Sequence, residues 1–144
     1  MSVLQRLVTL RASAAQAAAG TATGDGVTLD QKFTEMVVTL NVTAAATDVA
    51  DTLDVYVDTS FDGGTTFVNI GHFTQVLGNG GAKKFVMSFK ANPIAASNSV
   101  SATGDQSAGN ALQIGFGNVL RYRGVMVDGD ANGSFTYEVK AFLK

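Results

Sequence analysis

Apolar and polar residues alternate with a period of two along most of this chain, and that pattern restricts it to β-strands. In Phe33–Thr43, Met36, Val38, Leu40 and Val42 point one way while Glu35, Thr39 and Asn41 point the other. In Thr52–Ser60, Leu53, Val55 and Val57 alternate with Asp54, Tyr56 and Asp58. Phe85, Met87 and Phe89 alternate with Lys84, Val86, Ser88 and Lys90, and Phe135, Tyr137, Val139 and Ala141 alternate with Ser134, Thr136, Glu138 and Lys140. Side chains on a strand point to opposite faces in turn, so each run describes an antiparallel strand with one buried face and one wet face. Leu120–Asp128 is less regular, because Val119, Val125 and Val127 share a face with Arg121 and Arg123. It is expected to be buried on both sides over part of its length.

Turn chemistry separates the runs. Asp62-Gly63-Gly64, Gly78-Asn79-Gly80-Gly81 and Asp128-Gly129-Asp130-Ala131-Asn132-Gly133 supply the positive φ angles that tight β connections need. Several short strands at this spacing predict an all-β fold, a sandwich or a small barrel. Two stretches break the alternation. Ala12–Gly26 is rich in Ala, Thr, Ser and Gly, and its Ala12–Ala19 portion is compatible with one short helix. Ala91–Asn110 is similarly small and polar and carries the chain's one proline, Pro93. Each reads either as a flexible surface loop or as a segment that orders only against a neighbour. The chain therefore divides into an N-terminal strand and arm, 1–26, and a β domain, 27–144, with a long loop at 91–110.

With 144 residues and 46 % hydrophobic side chains, one domain of this length can build its own core. Only 15 % of residues are charged, against about 25 % in an ordinary domain. The exterior is therefore made largely of uncharged hydroxyls and amides, which cost less to desolvate than ions. Such a surface suits contact with other protein. The net charge of −2 gives no basis for neutralising a phosphate backbone, so nucleic acid is not an expected partner. Lys83-Lys84 and Arg121-Tyr122-Arg123, the densest basic spots, read as solvated strand faces. The absence of cysteine excludes disulfides and thiolate metal sites. Gln5, Arg6 and Arg11 interrupt the apolar residues of the opening segment, so neither a signal peptide nor a membrane partner is expected.

A search for chemistry finds little. The single histidine, His72, lacks a second His or a Cys to share a metal with, and no Gly-x-Ser-x-Gly elbow accompanies it. It is expected to be a hydrogen-bonded or solvated strand residue. Asp54 and Asp58 share a face but would stand about 13 Å apart, too far for one ion. Asp128, Asp130 and Asn132 alternate as in the first half of a calcium loop, without the closing Glu, and a hairpin turn accounts for them better. No dinucleotide loop is formed by Gly115-Phe-Gly117 or Gly78–Gly81. The chain is expected not to be an enzyme, and no cofactor or metal site is assigned.

One run is more specific. Leu53-Asp-Val-Tyr-Val-Asp-Thr-Ser-Phe-Asp-Gly-Gly-Thr-Thr-Phe-Val-Asn-Ile-Gly-His-Phe-Thr-Gln75 resembles a pattern of small virion proteins of tailed bacteriophages. There, a strand ending in Ser-x-Asp-Gly-Gly-Thr-Thr-aromatic leads into a second strand ending in Phe-Thr-Gln. Leu10-Arg-Ala-Ser-Ala-Ala15, Leu120-Arg-Tyr-Arg-Gly-Val125 and Gly133-Ser-Phe-Thr-Tyr-Glu-Val139 resemble the same group, with Ala91–Asn110 as an insertion. The resemblance implies an antiparallel, jelly-roll-like β-sandwich with an extended N-terminal arm. It further implies a capsid decoration (cement) protein: made in the bacterial cytoplasm, carried on the virion surface, bound to the major capsid protein and assembled as a homo-oligomer, a trimer foremost. On that reading the arm and the long loop reach neighbouring subunits. Val3, Leu4 and Leu7 would anchor by apolar contact, Arg6 and Arg11 by polar contact, and Pro93 from the loop. The alternatives are a head–tail connector or tail protein on the same sandwich, and a carbohydrate- or surface-binding module using Tyr56, Tyr122 or Phe142.

Overall fold

A computed structural model describes residues 5–46, 48–91, 101 and 103–144 of the chain. Among these residues the strands are β1 (Arg6–Gln16), β2 (Gly20–Thr23), β3 (Val27–Thr28), β4 (Glu35–Ala44), β5 (Thr52–Ser60), β6 (Val68–His72), β7 (Val76–Leu77), β8 (Lys83–Lys90), β9 (Asn110–Ala111), β10 (Val119–Val127) and β11 (Phe135–Leu143). They form two antiparallel sheets packed face to face, a β-sandwich. The four-stranded sheet runs β1-β11-β4-β8 and the seven-stranded sheet β2-β10-β5-β6-β9, with β3 added to β10 and β7 to β5.

The alternation places the core. Met36, Val38, Leu40 and Val42 of β4 and Phe135, Tyr137, Val139 and Ala141 of β11 are buried from one side, and Leu53, Val55, Val57, Ile70 and Leu120 from the other. The β10 strand is covered on both faces at its start, where consecutive Val119 and Leu120 are both buried, and on one face beyond it. Leu120, Tyr122, Gly124 and Met126 face inward and are buried, while Arg121, Arg123 and Val125 lie half-buried on the outer face.

The beginning of the chain is built into both sheets. No helix forms over Ala12–Ala19: β1 continues to Gln16 beside β11, with irregular pairing around Arg11–Ala14, and β2 then pairs with β10. Partners already in place satisfy a strand's backbone groups along its length, which outweighs the helical preference of a few alanines. Val8 and Leu10 are buried in the core, so Arg6–Gln16 of the expected arm is an integral edge strand.

One close approach ties these elements together. The Tyr137 hydroxyl donates to Gln16 Oε1 at 2.6 Å, and Gln16 Nε2 donates to the carbonyls of Gly124 and Gly20. A Cβ on Gly124 would stand 2.0 Å from the Tyr137 hydroxyl, so only glycine fits there. Gly124→Ala is expected to cost about 1–3 kcal/mol by overpacking. In a Tyr137→Phe background, which removes the obstructing oxygen, the added cost should be clearly smaller. A double-mutant cycle from urea unfolding reads this coupling; additive costs would refute it.

Burial pushes the Tyr137 phenol up from 10.0 to about 12, with Arg11 acting in the opposite sense. Because the folded state holds the proton more tightly, the contribution is complete below about pH 10 and is lost as pH rises toward about 12. The shift corresponds to about 2–3 kcal/mol. Urea unfolding at pH 9 and 12 should show a larger loss for the wild type than for Tyr137→Phe. Parallel losses would contradict the assignment.

Candidate functional site

The outer face of the seven-stranded sheet carries the densest polar network among the described residues. Asp58 on β5 faces Arg121 on β10 directly across the ladder, and Arg123 lies diagonal to it. The buried Asp58 carboxylate accepts hydrogen bonds from Arg121 Nε (3.0 Å), Arg123 Nε (2.6 Å) and Asn69 Nδ2 (3.0 Å). Arg123 also donates to Asp105, at 2.5 Å. Burial works against the Arg123 charge, but the Asp58 and Asp105 carboxylates outweigh it and hold the guanidinium above its ordinary range. The Arg121 guanidinium lies over the Phe67 ring at 3.8 Å and that of Arg123 over Tyr56 at 4.6 Å. These arginines are therefore not the solvated strand face that their spacing suggested. Their charges are spent on a buried carboxylate and their planes on aromatic rings.

His72 extends the network along the same face. Its Nδ1 donates to the Gln106 carbonyl at 2.8 Å, its Nε2 meets Asp54 at 2.7 Å, and the ring stacks on Tyr56 at 4.1 Å between centroids. Both nitrogens face acceptors within the protein, which holds the ring in place from its two sides. Burial, then the Asp54 and Asp105 charges, raise the Tyr56 phenol above its ordinary value, against the pull of Arg123.

The described part of the long loop is held by this face. Gln106 N–H donates to Asn69 Oδ1 at 2.8 Å, Gly109 N–H to the His72 carbonyl, and Asn110–Ala111 pair with β6 as β9. Residues 105–111 thus pack against their own sheet. The arrangement is a clamp: β6 and β10 present Asn69, His72 and Arg123, which hold the Gln106 N–H, the Gln106 carbonyl with the Gly109 N–H, and the Asp105 carboxylate respectively. A cavity of about 190 Å³ beneath it is lined by Asp58, Phe67, Asn69, Asp105, Arg121 and Arg123 among others. That is below the roughly 300 Å³ at which small-molecule pockets begin. A wider cleft of about 470 Å³ lies at the sandwich edge between Leu29–Phe33 and Phe116–Asn118.

The Asp-Gly-Gly turn between β5 and β6 takes the form its residues call for. Gly63 and Gly64 adopt φ of 76° and 99°, and Asp62 accepts from both the backbone N–H and the hydroxyl of Thr66. Ser60 Oγ donates to Asp62 and accepts from Gly64 N–H. Those bonds, led by the Thr66 hydroxyl, lower the Asp62 carboxyl to about 2.

Asp51, Asp128 and Asp130 bring carboxylate oxygens within 4.8 Å of one another. Each is already engaged by the local backbone. Asp51 accepts from Gly129 N–H, Asp128 from Asp130 and Gly133 N–H, and Asp130 from Asn132 N–H. They brace the β10–β11 hairpin.

Of the expected contact residues, Val3, Leu4 and Pro93 lie outside the described residues. Arg6 pairs with Asp30 at 2.5 Å and Leu7 is exposed on the outer face of the four-stranded sheet. Arg11 packs over Tyr137 and Tyr122 and donates to the Tyr122 hydroxyl, so it serves the domain's own edge. The three aromatics of the sugar-binding alternative do not share a surface. Tyr122 is buried in the core, Tyr56 lies beneath Arg123, and Phe142 is on the opposite sheet. No helix among the described residues is long and apolar enough to cross a membrane. In comparisons with known proteins the chain matches no family model, no curated protein and no solved structure.

Proposed function

We propose that this chain is a structural virion protein that binds the outside of a tailed-phage capsid and stabilises the assembled shell. The observation that carries the reading is the β5–β6 hairpin, Leu53–Gln75, whose Ser60-Phe-Asp-Gly-Gly-Thr-Thr66 turn resembles that of small tailed-phage virion proteins. The charge-poor composition supports it, as do the exposed Leu7, Val86 and Phe142 on the four-stranded sheet. The polar network described above favours a framework role, since its groups are spent on holding a segment of the chain in place.

The mechanism is mass action. A protein that binds the assembled shell, and not its dissociated subunits, stabilises the shell by its binding free energy. Repetition over a symmetric lattice makes modest contacts collectively strong. The major capsid protein is the partner in this reading, and the virion surface the location.

The test is co-sedimentation of the purified chain with assembled shells of a tailed phage whose genome encodes it, alongside unassembled capsid subunits. Binding to shells alone is expected, and Leu7→Asp, at an exposed position, should weaken it. Failure to bind shells, or equal binding to free subunits, would overturn the proposal.

A further inference from the structure

Two exposed apolar patches of opposite charge lie on opposite sheets of the sandwich. On the outer face of the four-stranded sheet, the registers place Leu7, Phe142 and Val37 side by side, with Val86 in the next row. Leu7 is 61 %, Val86 69 % and Phe142 39 % exposed. Lys84, Lys90, Lys140 and Lys144 surround this stripe against Glu35 and Glu138, so the face is basic in a chain of net charge −2.

The second patch is at one end of the seven-stranded sheet, where Val127, Thr52 and Leu77 form a row across β10, β5 and β7. Val127 is 53 % exposed, Leu77 44 % and Val49, in the neighbouring turn, 59 %. Asp48 adjoins Val49 and Asp128 adjoins Val127 in the chain, and Asp130 clusters with Asp128 in the same turn. The two acidic turns are joined through the Gly129 N–H bond to Asp51, and Gly78 N–H ties the end of β7 to the Asp51 carbonyl.

We infer that these two patches are complementary halves of one contact, through which a second copy of this chain docks front to back. Each offers exposed aliphatic or aromatic surface, one rimmed by lysines and the other by aspartates. Pairing either patch with itself would bring like charges together, which disfavours a two-fold dimer through either face. Joining unlike patches is a heterologous contact, which builds a ring if the rotation closes and a stack if it does not. The lysine-rimmed face is also the one that supports the proposed capsid contact, so the measurements below are made without capsid, and failure of either reading leaves the other standing.

Sedimentation velocity of the full chain at low ionic strength, without capsid, is the first measurement. Concentration-dependent association is expected, weakening as salt screens the rims, and a strictly monomeric chain at about 100 μM would overturn the inference. The decisive experiment uses two charge-altered variants at exposed positions. Val86→Glu/Lys90→Glu makes the first patch acidic, and Val49→Lys/Val127→Lys/Asp130→Lys makes the second basic. Each alone should associate at least about tenfold more weakly than the wild type, and an equimolar mixture should recover association, because each variant then meets its complement. A mixture no more associated than its components, or a variant that self-associates like the wild type, would overturn it. Circular dichroism confirms that each variant is folded; Leu7→Glu/Lys84→Glu and Leu77→Lys/Val127→Lys/Asp130→Lys are the replacement pair if either is not.

Discussion

Asp58→Ala is expected to lower the unfolding free energy by about 3–5 kcal/mol, a large part of the roughly 5–15 kcal/mol that holds a domain of this kind folded. The cost comes less from the lost attraction than from what is left behind. Arg121 and Arg123 would remain half-buried without the carboxylate that compensates them, and Asn69 Nδ2 would lose one of its acceptors. The effect should also be felt at a distance in sequence. Arg123 and Asn69 hold Asp105 and Gln106, so amide exchange in residues 103–111 should quicken more than in β4 or β11. Urea unfolding gives the first number and hydrogen exchange the second. A loss below about 1 kcal/mol would place this network among the weak surface ion pairs.

Deleting residues 1–16 is expected to be more damaging still. Read from the sequence as part of an arm, this segment is dispensable to the domain. In the fold it contributes β1, with Val8 and Leu10 in the core and Gln16 as the acceptor for the buried Tyr137 hydroxyl. Burial of two aliphatic side chains is worth about 3–6 kcal/mol, and an orphaned buried hydroxyl costs a further 1–3 kcal/mol or so. That sum approaches the whole stability of a typical domain. The truncated chain should be largely unfolded at 25 °C, with β11 left as an exposed edge prone to aggregation. A cooperative thermal transition close to that of the full chain would contradict this. Any test of surface binding therefore needs substitutions such as Leu7→Asp in place of truncations.

These two results mark where sequence reasoning reaches and where it stops. The inward faces of β4, β5, β8 and β11 were legible because a strand's two faces are assigned by local alternation alone. The Asp62-Gly63-Gly64 turn was legible for the same reason: its hydrogen bonds run between residues at most four apart. The Asp58 network was not, because its carboxylate and its arginines are 63 and 65 residues apart and meet only through the β5–β10 register. A hint was present, since Arg121 and Arg123 fall on one face of a mostly apolar strand, where two cations call for an anion between them. The clamp on residues 105–111 left no local trace, for a small polar segment looks the same whether it is free or held.

The sequence by itself determined that this chain is all β, which side chains enter the core, and where its tight turns lie, because those properties follow from a two-residue repeat and from glycine's access to positive φ. Tertiary structure alone decided that the N-terminal segment is an edge strand, that Arg121 and Arg123 enclose a buried carboxylate, and that lysine-rimmed and aspartate-rimmed apolar patches occupy opposite sheets. Those facts depend on which strands are neighbours and in what register. Register is set by the packing of the whole sandwich, and no local window of sequence contains it.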